Sequence, residues 1–356
     1  MASEPTAFSS GSQRWRPGSG WRSWLFGAAV VAMLAGAVLH YGEIRNFGTI
    51  IARARPIWLG AALLLQLSTY VSVASGWRFV LARADAPRPL LRLMRIAVTK
   101  LFADQALPTA GMGGNVLLVD QLCTLGVARG TAVAALLVSM IGFYAAYSCF
   151  ALAMLLLLWL HNRATPLMAG IVTTFLLVAF AIPALALWLR RRGSRPLPKR
   201  IERIGFVRGL LDSARRAPAA LLSDRHLLIE VTACNALIFL ADAATLYACL
   251  HALGQTASFA TAFIALIMAS IIVTLGPIPL GLGSFEATST ATLHLLGISV
   301  EAAFTATMLL RLLTLWLPLL PGMVLMRSMI RARPRRAQKG RRAKPPVPPQ
   351  PPQRHR

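Results

Sequence analysis

The sequence has few charged side chains: Asp, Glu, Lys and Arg together make up 14% of 356 residues, and only twelve residues are acidic. Hydrophobic residues make up 56%. A chain that is this long and this apolar is typical of a protein with several membrane-spanning segments, and it excludes a soluble domain. The composition therefore predicts an all-α polytopic membrane protein.

Signatures of catalysis, metal binding and nucleic-acid binding are also missing. There is no HExxH pair, nucleophile elbow, Walker loop or dinucleotide fingerprint, so we expect no enzyme activity, no cofactor and no metal site. The formal charge of +25 lies largely in termini and loops, without the interleaved aromatics that single-stranded nucleic acid needs, so no nucleic-acid partner is expected. The cysteines lack CxxC spacing, which favours buried apolar roles for Cys123, Cys149, Cys234 and Cys249.

Long apolar runs alternate with polar segments along the chain. Residues 1–23 are rich in Ser, Gly and Pro and are predicted to be disordered. The run at 24–39 is either a signal peptide or a retained first helix, and the long basic region before it favours the helix. About six full transmembrane helices are predicted, the others being 57–82, 131–160, 166–190, 227–251 and 301–328.

Two stretches that are rich in proline and glycine interrupt the apolar pattern, at 108–115 and 276–286. Corresponding residues in the two stretches are 171 positions apart: Pro108 and Pro279, Asn115 and Glu286, and, shortly after the breaks, Gly126 and Gly297. Paired broken segments in two halves of a chain indicate a transporter-type site near the bilayer midplane.

The half-helix after each break is too short to cross a bilayer, so we interpret 92–126 and 258–297 as re-entrant hairpins. Three full spans separate them, and this odd number predicts that the hairpins enter from opposite faces as inverted repeats. The alternative is two kinks in ordinary helices that align by chance.

Charge placement predicts the orientation. Arg and Lys concentrate in 83–95, in the basic loop 190–225 and in the tail from residue 327, whereas 252–257 and 297–301 have none. The positive-inside rule places the N- and C-termini in the cytoplasm, although Arg45, Arg53 and Arg55 fall outside. The loop and the proline-rich, disordered tail at 331–356 are expected to contact anionic lipid headgroups.

Several charged side chains fall within predicted intramembrane segments, where each needs a partner or a wet cavity. Glu286 and Arg311 lie at similar depth and are predicted to face each other, either at a substrate site or as a pair that pins the hairpin. Asn115 takes the place of Glu286 in the first half, which predicts one amide and one carboxylate. Asp242 is expected to hydrogen-bond a neighbouring helix end rather than relay protons.

The remaining candidate substrate-binding residues surround the breaks. Backbone amides at helix N-termini can bind an anionic group such as a lipid phosphate. Asp104 and Asp120 flank the first break and are expected to line a polar vestibule. The candidates within the breaks are Pro108, Gly111, Gly113, Gly114, Pro277, Pro279, Gly281 and Gly283.

The second half resembles the transmembrane domain of the lysylphosphatidylglycerol synthases, also called the flippase-like or UPF0104 family. The similarity is strongest at 275–287 and continues through 295–303, 309–313 and 317–322, with a Pro/Gly-rich break, a Glu, a glycine turn and an Arg in the last span. Resemblance extends over about 24–330. Family members often have an acid where this chain has Asn115, which weakens a two-carboxylate mechanism.

The resemblance implies a bacterial inner-membrane protein that moves or handles lipids. Some relatives translocate aminoacylated phosphatidylglycerol, and one branch accompanies hopanoid synthesis. The soluble aminoacyl-transferase domain of the synthases has no counterpart here, so the stand-alone branch is the better match. Two alternatives stay open: a membrane-embedded transferase that acts on a lipid-linked headgroup, and a non-catalytic organiser of lipid-modifying enzymes.

Overall fold

The protein is described by a computed structural model over residues 54–106, 112–160, 166–191, 218–276, 281–319 and 321–326, and these residues contain helices and no β-strand. The predicted all-α class is therefore confirmed. The helices are α1 (Pro56–Arg83), α2 (Leu90–Ala106), α3 (Met112–Thr124), α4 (Arg129–Leu160), α5 (Pro166–Arg191), α6 (Ala219–Ser223), α7 (Arg225–Ala252), α8 (Phe259–Leu275), α9 (Ser284–Leu295) and α10 (Val300–Arg311).

Four helices in the described part are long and apolar enough to cross a membrane: α1, α4, α7 and the helix that runs from α10 through to Met326. They match the predicted spans at 57–82, 131–160, 227–251 and 301–328. The predicted span at 166–190 is α5, which is apolar over Pro166–Ala181. Predictions for 1–23, 24–39 and 331–356, and most of the basic loop 190–225, lie outside the described residues.

Short polar side chains begin several of these helices. Ser258 and Ser299 accept hydrogen bonds from the first-turn N–H groups of α8 and α10, and Asp224 does so from Leu227 at the start of α7. The Leu227 N–H, together with an ion pair to Arg83, lowers the pKa of the Asp224 carboxyl below its ordinary value. Asp224 therefore both starts α7 and joins it to the end of α1.

The helix boundaries show an internal repeat that includes the helices on both sides of each break. Both ends of α1 and α7 are 169 residues apart, and so are both ends of α2 and α8. After the breaks the spacing becomes 171, as between the starts of α4 and α10. The second half therefore contains about two more residues in its break, and the repeating unit is a long helix, a broken hairpin and a second long helix.

Matching glycine turns end the half-helices α3 and α9. Gly126 has φ of 80° and Gly297 has φ of 99°, the left-handed region that favours glycine. The next residue in each case, Val127 or Ile298, donates its N–H to the carbonyl five positions earlier at 3.1 Å. This is the same Schellman-type cap at the same place in both repeats.

The first helices of the two repeats pack against each other in opposite directions. At one end the Arg55 N–H donates to the Ala252 carbonyl oxygen at 2.9 Å, and at the other end Arg83 pairs with Asp224. Equivalent helices that run antiparallel are the relation expected for inverted repeats. The hairpins α2–α3 and α8–α9 pack beside this central pair; their entry from opposite faces stays a prediction.

Candidate functional site

The second break is held by a buried ion pair. The Arg311 Nε atom donates to Glu286 Oε1 at 2.7 Å, and the two side chains are only 10% and 11% exposed. The other carboxylate oxygen of Glu286 accepts the N–H of Gly283 at 2.7 Å. The predicted contact of Glu286 with Arg311 is confirmed, and the carboxylate also closes the N-terminus of α9, because it reaches back to the N-cap residue.

The surroundings of Arg311 fix its position on the last helix. Its guanidinium carbon lies 4.8 Å from the centre of the Phe285 ring, a cation–π contact. One turn further along α9, the hydroxyls of Ser289 and Thr307 lie 2.9 Å apart and join α9 to α10. Directly after Arg311 the helix widens into a π-helical turn over Leu312–Trp316, a distortion that is frequent at functional sites.

The first break is held by a carboxylate as well. Asp104, at the end of α2, accepts the Gly114 N–H through Oδ1 at 3.0 Å and pairs through Oδ2 with Lys100 Nζ at 2.7 Å. A Cβ atom on Gly114 would lie 2.2 Å from Asp104 Oδ1, so only glycine allows this approach. The Lys100 and Asp104 side chains are 24% and 20% exposed, which makes this pair more accessible than Glu286–Arg311.

These contacts add a second carboxylate, Asp104, to the predicted amide of Asn115 and carboxylate of Glu286. Each break has a carboxylate that bridges a cation and the N-terminus of a half-helix. In the second repeat the carboxylate, Glu286, belongs to the half-helix itself; in the first, Asp104 belongs to the preceding helix. Asn115 is half-buried beside the Gly114 contact. The equivalence is chemical rather than positional, which is why residue spacing did not show it.

The other candidate residues are placed as follows. Gly281, in a left-handed conformation with φ of 61°, packs against Val273 of α8. Gly113 and Asp120 lie on α3 and are half-buried. Pro108, Gly111, Pro277 and Pro279 lie outside the described residues.

The role of Asp242 differs from the expectation. It lies within α7 rather than near a helix end, and its carboxyl is within hydrogen-bonding reach of the Gln66 side chain on α1. The expected partner at a neighbouring helix end is therefore wrong. The antiparallel packing of α1 and α7, which could not be read from either sequence segment alone, brings the two middles together.

Sequence reasoning also missed Tyr147 of α4. Its buried ring lies between Phe175 and Phe239, with centroids 4.3 and 4.9 Å away, and its hydroxyl is 3.3 Å from Thr274 Oγ1. Thr274 is two residues before Gly276, where the second break begins. The available signal was a pair of tyrosines, Tyr144 and Tyr147, within a largely apolar span.

The geometry limits how the breaks can bind an anion. In this conformation the N–H groups of Gly114 and Gly283 already donate to the protein's own carboxylates. A lipid phosphate would have to displace Asp104 or Glu286 to reach them. A group that carries both a positive and a negative charge could instead replace both partners of one ion pair. Its cation would bind the Asp104 or Glu286 carboxylate, and its anion would bind Lys100 or Arg311.

We call the Asp104 carboxylate, with the Lys100 ammonium and the Gly114 N–H that it binds, the clamp of the first break, and Glu286 with Arg311 and the Gly283 N–H the clamp of the second. The first clamp can be tested by changing either Asp104 or Gly114. In Asp104→Asn the Lys100 ammonium loses its charge partner, and in Gly114→Ala the new methyl group displaces the Asp104 carboxylate. We expect both variants to fold, because Asp104 is partly exposed and can rotate, but to increase the reactivity of Lys100 toward an amine-selective reagent several-fold. Mass spectrometry of the labelled protein measures this. Equal labelling of Lys100 in wild type and both variants would contradict the clamp.

A family model described as lysylphosphatidylglycerol synthase TM region matches residues 24–322, which is more than half of the chain. No curated protein matches the chain.

Proposed function

Because the chain belongs to the lysylphosphatidylglycerol synthase transmembrane-region family, we propose that it moves an amphiphilic lipid between the two leaflets of a bacterial cytoplasmic membrane. It is a multi-pass membrane protein, and the part of the chain that the structure describes contains four helices long enough to span a membrane. In the proposed orientation both termini are cytoplasmic, and the basic loop and tail contact anionic lipid headgroups.

The observation that carries this proposal is the buried Glu286–Arg311 pair at the N-terminus of α9. Charged side chains within a membrane are costly, and they commonly mark the path of a polar substrate. The antiparallel repeats place a comparable charged clamp, Lys100–Asp104, at the other break. Two such clamps suit an alternating-access mechanism, in which each repeat exposes its break to one side in turn.

The chemistry of the clamps favours a lipid whose headgroup carries both charges. Each clamp offers one carboxylate, one cation and one backbone N–H, which match an ammonium and a phosphate. An aminoacylated phospholipid has this headgroup, and it therefore precedes a plain anionic phospholipid or a hopanoid among the candidate substrates. We propose that Glu286 and Asp104 receive the ammonium and that Arg311 and Lys100 receive the phosphate.

Leaflet-selective labelling combined with comparative lipidomics tests the proposal. Cells that lack the protein, and cells that carry Glu286→Gln, are expected to hold one lipid class almost wholly on the inner leaflet, with at least about tenfold less reaching the outer leaflet. The expected factor corresponds to the loss of about 1.4 kcal/mol or more, the scale of one charge-assisted hydrogen bond.

Glu301→Gln is the matched control, because it is the same Glu-to-Gln substitution at an exposed position in the first turn of α10. It should restore normal sidedness to the deletion strain. Unchanged sidedness in the deletion strain would refute lipid movement. A lipid class that is missing altogether, with normal sidedness of the rest, would instead support the transferase.

A further inference from the structure

A second polar cluster lies where α1 and α7 cross, away from both breaks in the sequence. Gln66 and Tyr70 are one helical turn apart on α1 and share a face, and they are only 5% and 8% exposed. Asp242 faces them from α7 with a half-buried side chain, within hydrogen-bonding reach of Gln66 and electrostatic range of Tyr70. The cluster therefore contains a carboxylate, an amide and a phenol in the middle of the bundle.

Three oxygen atoms of this cluster are buried and have no hydrogen-bond partner: Gln66 Oε1, the Tyr70 hydroxyl and Asp242 Oδ1. Asp242 takes part in none of the ion pairs found in the described ranges. Buried polar atoms are nearly always satisfied, so three orphaned oxygens on two helices that pack against each other indicate a missing ligand.

No cation on the neighbouring helices forms an ion pair with Asp242 in the described ranges. The helices that pack against α7 are α1, α4, α6, α8 and α10. Besides Tyr70 they carry Arg78 and Arg83 on α1, Arg129, Tyr144, Tyr147 and Cys149 on α4, and Glu301 and Arg311 on α10, whereas α6 and α8 carry none. Arg83 pairs with Asp224 and Arg311 with Glu286.

An ionised carboxylate that forms no ion pair is costly in such a place, because no paired positive charge offsets its desolvation. A water molecule could donate hydrogen bonds to two acceptor oxygens but would leave the charge in place. A cation removes both deficits at once. Hard monovalent cations prefer oxygen ligands of the kinds present here, and a proton on Asp242 would donate to Gln66 Oε1.

We propose that Asp242, Gln66 and Tyr70 form a binding site for one monovalent cation, a proton or Na⁺, at the crossing of α1 and α7.

The position of this site in the repeat suits an ion that acts on the conformation. Arg55 meets Ala252, and Arg83 meets Asp224, so positions on α1 and α7 that add up to about 307 face each other. Repeat-related residues on α1 and α7 are 169 positions apart. A residue of α1 faces its own repeat-related residue on α7 only near Thr69, which therefore marks the pseudo-twofold axis. Asp242 lies about one helical turn from that point. An ion bound there contacts the first helix of each repeat.

The repeat also predicts that there is one such site and not two. The residue equivalent to Asp242 in the first repeat is Val73, 169 positions earlier, and the residue equivalent to Gln66 is Asn235. Asn235 satisfies its own side-chain amide by donating to the Val231 carbonyl oxygen at 2.8 Å. Only one half of the pseudo-symmetric pair therefore has a carboxylate, and the stoichiometry expected is one cation per chain.

The purified full-length chain in detergent allows both cations to be tested. Infrared spectra over a range of pH detect a protonated carboxylic acid by its C=O stretching band. Thermal unfolding in NaCl and in choline chloride at equal ionic strength detects Na⁺ binding. Asp242→Asn removes the charge and keeps the shape, Gln66→Leu removes one ligand, and the exposed Asp85→Asn is the matched acid-to-amide control.

Either of two results supports the site. A carboxylic-acid band near neutral pH that is lost in Asp242→Asn and kept in Asp85→Asn identifies the proton. A rise in Tm with Na⁺ that is lost in Asp242→Asn, and needs about tenfold more Na⁺ in Gln66→Leu, identifies the metal ion. If Asp242→Asn does not fold, the Gln66→Leu titration decides alone. No band and no Na⁺ effect in the wild type would overturn the site.

Use of this ion to drive lipid movement rests on the proposed function, whereas its binding does not. The infrared and unfolding measurements contain no transport step, so they can succeed when lipid sidedness is unaffected, and the reverse is equally possible. The two proposals therefore fail separately.

Discussion

Arg311→Met is expected to lower the free energy of unfolding by about 3–5 kcal/mol, because it leaves the Glu286 carboxylate buried without its counter-charge. Glu286→Gln should also destabilise, since an amide NH₂ group replaces one of the two carboxylate oxygens and then faces the Arg311 Nε–H or the Gly283 N–H, a donor against a donor. The double variant, Glu286→Gln with Arg311→Met, should recover most of the lost free energy of unfolding, because it has neither buried charge. Unfolding in mixed micelles at increasing SDS measures all three.

The double variant also decides what the pair is for. If Glu286 and Arg311 only pin α9 to the last helix, restored stability should bring restored lipid movement. The proposed function predicts a stable double variant that moves no lipid. Arg92→Met and Glu301→Gln, the same changes at exposed positions, should each stay within about 0.5 kcal/mol of wild type. Normal lipid sidedness in cells that carry the stable double variant would reduce the pair to a structural contact.

Gly281→Ala should be the most disruptive small substitution in the second break. Its φ of 61° is strained for an L-residue, and the new Cβ would lie 2.3 Å from Val273 Cγ2 and 3.0 Å from Val273 Cβ. Adding about 1–2 kcal/mol for the left-handed backbone and about 1–3 kcal/mol for overpacking, we expect a loss of about 2–5 kcal/mol. The same SDS unfolding assay, with the yield of folded protein, measures it.

Two companion variants separate the backbone from the packing contribution. Val273→Ala in the Gly281→Ala background removes both Cγ atoms and should recover part of the loss. Gly254→Ala, where φ is 76° but no atom lies within 4 Å of the new Cβ, should cost only about 1–2 kcal/mol. A Gly281→Ala loss no larger than that of Gly254→Ala would show that the approach of the break to α8 is looser than described.

The repeat illustrates how far spacing alone could reach. The 171-residue offset between the breaks was visible because proline and glycine are rare within apolar runs. The 169-residue offset of the preceding helices was not visible, since apolar residues substitute freely for one another and only the helix ends show the correspondence. The two caps at Gly126 and Gly297 were also visible in the sequence, because a left-handed turn strongly selects glycine.

The charged residues divide in the same way. Glu286 and Arg311 could be paired from the sequence, because only a half-helix, a short turn and part of a span separate them. The lengths of these helical segments place the two residues at a similar depth in the membrane. Asp104 could not be assigned to Gly114, because that contact crosses the first break, whose conformation no local rule determines.

By itself the sequence determined the membrane class, the four long spans, the two broken hairpins and the Glu286–Arg311 pair, because each follows from hydropathy, helix length or local turn chemistry. Only the tertiary structure decided that Asp104 accepts a hydrogen bond from the N-terminus of α3 across the first break, and that Asp242 meets Gln66 and Tyr70 on an antiparallel helix. Those contacts join residues far apart in the chain or across a break, and their partners are chosen by packing geometry, which composition and periodicity do not encode.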